Sequence, residues 1–375
     1  MRGSTEKRIG RVTSDKTRSV TSALLALLRA TIERSGGWLP FDRFMAQALY
    51  APGLGYYANA SRKFGHLPAS GSDFVTAPEM SPLFGQTLAA AVSDALDATG
   101  CDEVWEFGAG SGALAEQLLQ ALPRVRRYTI VEVSSVLRQR QRERLAPHAA
   151  RVDWAAQLPE QMRGVVLGNE VLDAMPVKLL ARMDSVWHER GVCWQGERLA
   201  WSDRPTELRP PVEITGSHDY LTEIHLQAEA FVRTLADRLV QGAAFFIDYG
   251  FPESEYYHPQ RHMGTLMCHQ AHRADTDPLA DVGAKDITAH VNFTGLALAA
   301  QEAGLGVLGY TSQGRFLLNC GLLDKLQHAG VRERADAQRL FAEHEMGELF
   351  KVIGLRKGPF WDAVGFGSGD RTSTL

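Results

Sequence analysis

Between Glu103 and Arg356 the chain alternates short apolar runs with longer amphipathic segments, and this alternation restricts the fold more than any other feature. The runs read as strands are Glu103 to Phe107, Tyr128 to Val133, Arg151 to Trp154, Val165 to Gly168, Ala243 to Asp248, Leu305 to Tyr310 and Phe350 to Arg356. Helical spacing marks Ala113 to Leu122, Ser134 to Leu145, His225 to Val240 and Phe293 to Ala303 between several of them. Strand, helix and strand in succession connect by right-handed crossovers. The expectation is an α/β, doubly wound, mostly parallel sheet of seven strands.

Ahead of the sheet, Leu24, Leu25, Leu28 and Ile32 recur at helical spacing from Ser22 to Arg34, and Gly36-Gly37 stops the pattern. From Tyr50 to Pro82 glycine, proline and aromatics predict long ordered loops, and a helix follows from Pro82 to about Ala98. Loops of that length are usually functional. Two intervals exceed simple crossovers: Pro176 to Ile224, with a hairpin about Gln195-Gly196, and Phe251 to Val291. The domain reading is a disordered leader over 1–21, N-terminal helices and lid loops over 22–100, and the sheet domain over 101–358. Insertions near 177–224 and 251–291 belong to the substrate side. The tail, 359–375, is rich in Gly, Ser and Thr from Gly365 onward and is expected to fray.

A formal charge of -4 gives no electrostatic reason to expect nucleic acid or an anionic membrane as partner. No apolar stretch reaches the roughly 18 residues of a membrane span. Cys101, Cys193, Cys268 and Cys320 form no C-x-x-C pair and have no matching histidine spacing, so neither a disulfide framework nor a metal site is expected. A reducing compartment, the cytoplasm, fits best. The basic, Ser/Thr-rich start leaves the mitochondrial matrix as an alternative, although Glu6 and Asp15 interrupt it.

Glu106-Phe-Gly108-Ala-Gly110-Ser-Gly112 runs from a strand into a glycine turn that opens the helix at Ala113. Glycines let a ligand approach main-chain N-H groups closely. Spacing alone also satisfies the dinucleotide pattern G-x-G-x-x-G/A. Glu106 separates the two readings, because a carboxylate there repels a pyrophosphate and attracts the ammonium of a methionine moiety. The cofactor expected is therefore S-adenosyl-L-methionine. Glu132 ends the second strand, placed for two ribose hydroxyls, and Asp153-Trp154 ends the third, where an adenine edge would lie. On the preceding loop, Phe74 is positioned to shield the cofactor, with Asp73 or Thr76 bonding to it; a packed structural loop is the competing reading.

The fourth strand runs into Asn169-Glu170-Val-Leu-Asp173 at the carboxyl edge of the sheet. Methyl transfer is an in-line displacement, so a protein chiefly aligns the acceptor and manages charge. Asn169 is assigned to the cofactor side, and Glu170 and Asp173 to the acceptor, since carboxylates hold a guanidinium by bidentate hydrogen bonds. Helix capping is the competing reading for all three. Asp248-Tyr249-Gly250 and His290 are further candidates for the acceptor pocket, although a lone histidine is more often a hydrogen-bonded structural residue.

From roughly Pro40 to Gly358 the chain resembles the MidA family, bacterial and mitochondrial relatives of the complex I assembly methyltransferase. The blocks that carry the resemblance include Gly55-Tyr-Tyr57, Asp73-Phe-Val-Thr-Ala-Pro-Glu79, Glu106 to Gly112, Asn169 to Pro176, Asp248-Tyr-Gly250, Thr288-Ala-His-Val-Asn-Phe293 and Met346-Gly-Glu-Leu-Phe-Lys351. Ser72 and Asn292 depart from the family's usual Gly and Asp. The resemblance implies a Rossmann-like methyltransferase sheet with a mobile lid. It also implies, in the mitochondrial branch, symmetric dimethylation of an arginine on a complex I subunit. It carries a cofactor role to the glycine loop and Glu132, and an acceptor role to Glu170, Asp173 and His290. The partner expected is a protein substrate bearing an arginine. A small-molecule methyltransferase and a non-catalytic assembly factor stay open, and the assembly state, a homodimer among the options, is not set by the sequence.

Overall fold

The computed structural model describes residues 20–59, 76–270 and 273–375. The chain divides into two compact units. The larger gathers the described residues of Phe64–Asp173, His225–Tyr256 and His290–Leu375. Its sheet comprises β1 (Glu103–Phe107), β2 (Arg127–Val131), β3 (Val152–Ala155), β4 (Met162–Asn169), β5 (Leu239–Phe251), β6 (Gly306–Ser312) and β7 (Phe350–Lys357), with a short eighth strand, Val291–Asn292, paired in parallel to the end of β5. All seven expected strands are present, with ends displaced by a few residues.

Side by side the strands run β3, β2, β1, β4, β5, β7, β6. The first five of these pair in parallel, whereas β7 is antiparallel to both β5 and β6. The dinucleotide-binding order 3-2-1-4-5-6 has no such antiparallel strand inserted before its last member. The crossovers from β1 leave on one side and those from β4 on the other, so a crevice opens where the order reverses, between β1 and β4.

The larger unit's helices α1 (Pro82–Thr99), α2 (Ala113–Ala121), α3 (Ser135–Arg144), α4 (Leu226–Arg238), α5 (Phe293–Glu302) and α6 (Gln313–Asn319) flank this sheet. Val104, Tyr128, Val165, Phe245 and Val352 share one sheet face with Leu88 and Val92 of α1, Leu114 and Leu118 of α2, and Phe316 of α6. On the other face Phe231 of α4 meets Phe107 and Phe246, with ring centroids 5.1 and 5.8 Å apart. Each fully buried aliphatic or Phe side chain stabilises the fold by about 1.5–3 kcal/mol. The start of α1 carries Pro82 at its first position and Ser81 Oγ accepts from Leu83 N–H, while Gly100 at φ 65° ends it.

The tail does not fray. Phe366 is buried against Phe316 and over Gly309 and Gly354, where a Cβ would meet its ring at 2.2 and 2.6 Å. Asp370 Oδ1 accepts from Tyr310 N–H at 2.9 Å, and Arg371 forms a two-pronged ion pair with Glu348. A Gly- and Ser-rich composition here serves close packing, not disorder.

The smaller unit gathers the described residues of Met1–Lys63, Ala174–Ile224 and Tyr257–Ala289. Its opening helix, 20–34, buries Leu24, Leu28 and Ile32. An antiparallel sheet runs through Leu39–Pro40, Val186–Gln195, Lys178–Met183 and Tyr220–Ile224, with Arg198–Pro205 paired to Val186–Gln195. The hairpin turns at Gly196, at φ 60°. Among the described residues no helix is long and apolar enough to cross a membrane.

Candidate active site

β1 ends at Phe107, and the chain turns through Gly108, Gly110 and Gly112 at φ 63, 52 and 84° before α2 begins. Only glycine adopts these left-handed values without a Cβ penalty. At Gly108 a Cβ would also stand 2.6 Å from Val171 Cγ2, so the loop lies directly against the segment leaving β4.

Three acidic or aromatic groups expected around this loop lie in the same unit. Glu106 is 3% exposed, and its Oε2 accepts from the Tyr128 hydroxyl at 2.8 Å. Burial pushes its pKa up to about 8, against the pull of the Tyr128 bond. Glu132 stands just past β2; its Oε1 accepts from Ser134 N–H at 2.7 Å and its Oε2 from Gln141 Nε2 at 3.4 Å. Burial raises its pKa too, and those two bonds oppose the rise. Its neighbour Val133 is 73% exposed, an apolar surface beside two hydrogen-bonding oxygens. Trp154 donates its indole N–H to Gln141 Oε1 at 2.9 Å.

Asp153 lies on the opposite face of β3 from Trp154. Adjacent strand residues face opposite sides, and Asp153 turns to solvent, its side chain 63% exposed and paired with Arg127 at 3.4 Å. Thr76 sits at the N-cap of the short helix Ala77–Met80 and its side chain caps nothing. Asp73 and Phe74 lie outside the described residues.

Sequence reasoning placed α3 but missed that it braces the loop. Gln141, fully buried, donates to Gly110 O at 3.0 Å. One turn on, Arg144 Nη1 donates to Ser111 Oγ at 2.7 Å and to Glu79 Oε1 at 3.0 Å, while its Nε bonds to Glu116 at 2.7 Å. Ser111 also donates to Glu79. Nearly every residue of α3 is polar, so no apolar stripe distinguishes its buried face from its wet one.

At the end of β4 the capping alternative is removed, because no helix follows: Glu170 to Val177 are bends, turns and irregular backbone. Asp248, at the end of β5, organises the segment instead. Its Oδ2 accepts from the N–H groups of Val171, Leu172 and Asp173 at 3.1, 2.9 and 3.2 Å, and its Oδ1 from Tyr249 N–H. Burial raises the Asp248 pKa and the four backbone donors pull it down. Held this way, Glu170 adopts φ 53°, a conformation few non-glycine residues accept and one that clusters at functional sites. Asp173 is buried. His290 stacks on Tyr249 with centroids 6.0 Å apart and 10° between planes, and lies 5.2 Å from Phe251.

The site suits a ligand rich in donors. Asn169 Nδ2 bonds to Glu170 Oε1, which fixes the amide and leaves Asn169 Oδ1 buried with no hydrogen-bond partner among the described residues. A buried acceptor left unpaired costs about 1–3 kcal/mol, and an ammonium or hydroxyl from a ligand would relieve it. Residues 87–311 match the family described as S-adenosyl-L-methionine-dependent methyltransferases. The chain belongs to this family. Its cofactor is S-adenosyl-L-methionine, and the dinucleotide reading of the glycine loop falls away.

Two crystal structures from Burkholderia thailandensis resemble this methyltransferase throughout. One, bound to S-adenosyl-homocysteine, is 50% identical with a TM-score of 0.93, covering 96% of this chain and 98% of that one. The other is 48% identical with a TM-score of 0.88 and the same coverage. Protein arginine methyltransferase NDUFAF7, mitochondrial, of Danio rerio is 27% identical over 82% of this chain and 79% of its own length. Its human counterpart is 26% identical over 86% and 81%.

Proposed function

We propose that this methyltransferase methylates arginine side chains of a protein substrate. The observation that carries the reading is the forced conformation of Glu170, pinned by Asp248 through the backbone beside buried Asp173. Such rigidity is wasted on a solvated loop end and suits the aiming of a carboxylate at a planar cation. The names of the curated relatives support arginine as acceptor.

The cofactor, when bound, supplies an electrophilic methyl group. In this proposal the glycine loop, Glu106 and Asn169 receive its amino-acid end, Glu132 its ribose hydroxyls, and Trp154 and Thr76 complete its surroundings. Glu170 and Asp173 hold the guanidinium so that one nitrogen faces the methyl. That nitrogen would form the new N–C bond as the methyl–sulfur bond breaks, the electron pair staying on sulfur and S-adenosylhomocysteine leaving, and would give up one proton to a carboxylate or to water, so the product stays a cation. His290, with Tyr249, lines the acceptor side. The mitochondrial names of relatives support the matrix over the cytoplasm as location.

Glu170→Gln tests this. It keeps shape and removes charge, so kcat should fall about 100-fold or more through lost alignment, with affinity for S-adenosylhomocysteine little changed. Full turnover in that variant would contradict the assignment. A wild type that binds a protein partner but transfers no methyl would instead indicate an assembly factor.

A further inference from the structure

We infer that Gln141 is a positioning residue that sets the Glu132 carboxylate for ribose recognition, an inference that rests on the proposed ribose role of Glu132. Gln141 ties the loops after β1 and β2 to β3 itself: it bonds to Gly110 O at 3.0 Å, Glu132 Oε2 at 3.4 Å and the Trp154 indole N–H at 2.9 Å. Its orientation is not free. An indole N–H is a donor only, so the amide oxygen must face Trp154, and the amide nitrogen is left to the carbonyl and the carboxylate, both acceptors only while Glu132 is ionised. The side chain is fully buried, so no water can replace any of the three partners cheaply.

Two consequences follow for Glu132. With Ser134 N–H on one oxygen and Gln141 on the other, its carboxylate is held in one plane, and the two bonds oppose the rise in pKa that burial imposes. Movement of the glycine loop is also transmitted to it, because the same nitrogen reads Gly110 O. Gln141 touches no part of the ligand in this scheme.

The test compares affinities of the full-length protein for S-adenosylhomocysteine and its 2′-deoxy and 3′-deoxy analogues, with kcat and the KM for S-adenosylmethionine measured alongside. Gln141→Leu should weaken S-adenosylhomocysteine about three- to tenfold, the scale of one hydrogen bond, while weakening the deoxy analogues less. KM should rise and kcat at saturating cofactor should stay within about threefold. Trp154→Phe, which removes the donor that orients the amide, should reduce the same discrimination to a smaller extent and carries the test if Gln141→Leu fails to fold. Equal weakening of all three ligands, or none, in both variants would overturn the inference. Glu132→Ala separates the levels: if it leaves discrimination intact, the role of Glu132 and this inference fall together. If it abolishes discrimination while Gln141→Leu and Trp154→Phe do not, this inference alone falls.

Discussion

Glu106 illustrates how one buried carboxyl can report on its ligand. With its pKa pushed up to about 8 by burial, it is largely protonated at neutral pH until a cation approaches. Binding of an ammonium should therefore release a proton near pH 7. Isothermal titration with S-adenosylhomocysteine in two buffers of different ionisation heat should show that release, with affinity rising from pH 6 toward 8, and Glu106→Gln should abolish both effects. The same shift sets a stability trend. A folded-state pKa raised from 4.5 contributes stability that is complete below pH 4.5 and is lost as pH rises through 8. Denaturation of wild type and Glu106→Gln at pH 5 and 8 should show a smaller decline in the variant. Glu106 and Glu132 were legible because each stands beside a glycine turn or a strand end. The exposed setting of Asp153 was not legible, since which face a strand residue takes depends on its parity, and nothing in Arg151-Val-Asp-Trp154 fixes that. Gln141 was hidden by the polar helix around it.

Elements were more legible than contacts, because periodicity records which side of a helix or strand meets apolar neighbours and says nothing about which polar groups meet. The segment after β4 shows the difference. Sequence supplied the acids, but not Asp248 as their organiser, since a carboxylate that gathers three backbone N–H groups from 75 to 77 residues away leaves no local pattern. Asp248→Ala should cost about 3 kcal/mol by leaving those donors unpaired, and should lower kcat as Glu170 relaxes; urea denaturation and steady-state kinetics together check it. Between α1 and α2 the close approach is set by Gly85, whose N–H donates to Gln117 Oε1 at 2.9 Å and whose added Cβ would stand 2.6 Å from Gln117 Cβ. Gly85→Ala should destabilise by about 1–3 kcal/mol through overpacking, read as a lower urea midpoint.

Across the whole molecule, the seven strands and the doubly wound sheet followed from alternation alone. The antiparallel course of β7 did not, because the helical stretch between β6 and β7 reads like any crossover. Nor did the docked tail, where small residues permit Phe366 to lie flat over Gly309 and Gly354. Phe366→Ala should cost about 3–5 kcal/mol, seen as a lower Tm. The central claim, arginine as methyl acceptor, is tested most directly by incubating the purified protein with isotopically labelled S-adenosylmethionine and an extract of its own cells, hydrolysing the proteins to amino acids and separating the labelled products. Label in methylated arginine, absent with Glu170→Gln, is the predicted result. Label confined to other amino acids or to small molecules would contradict it.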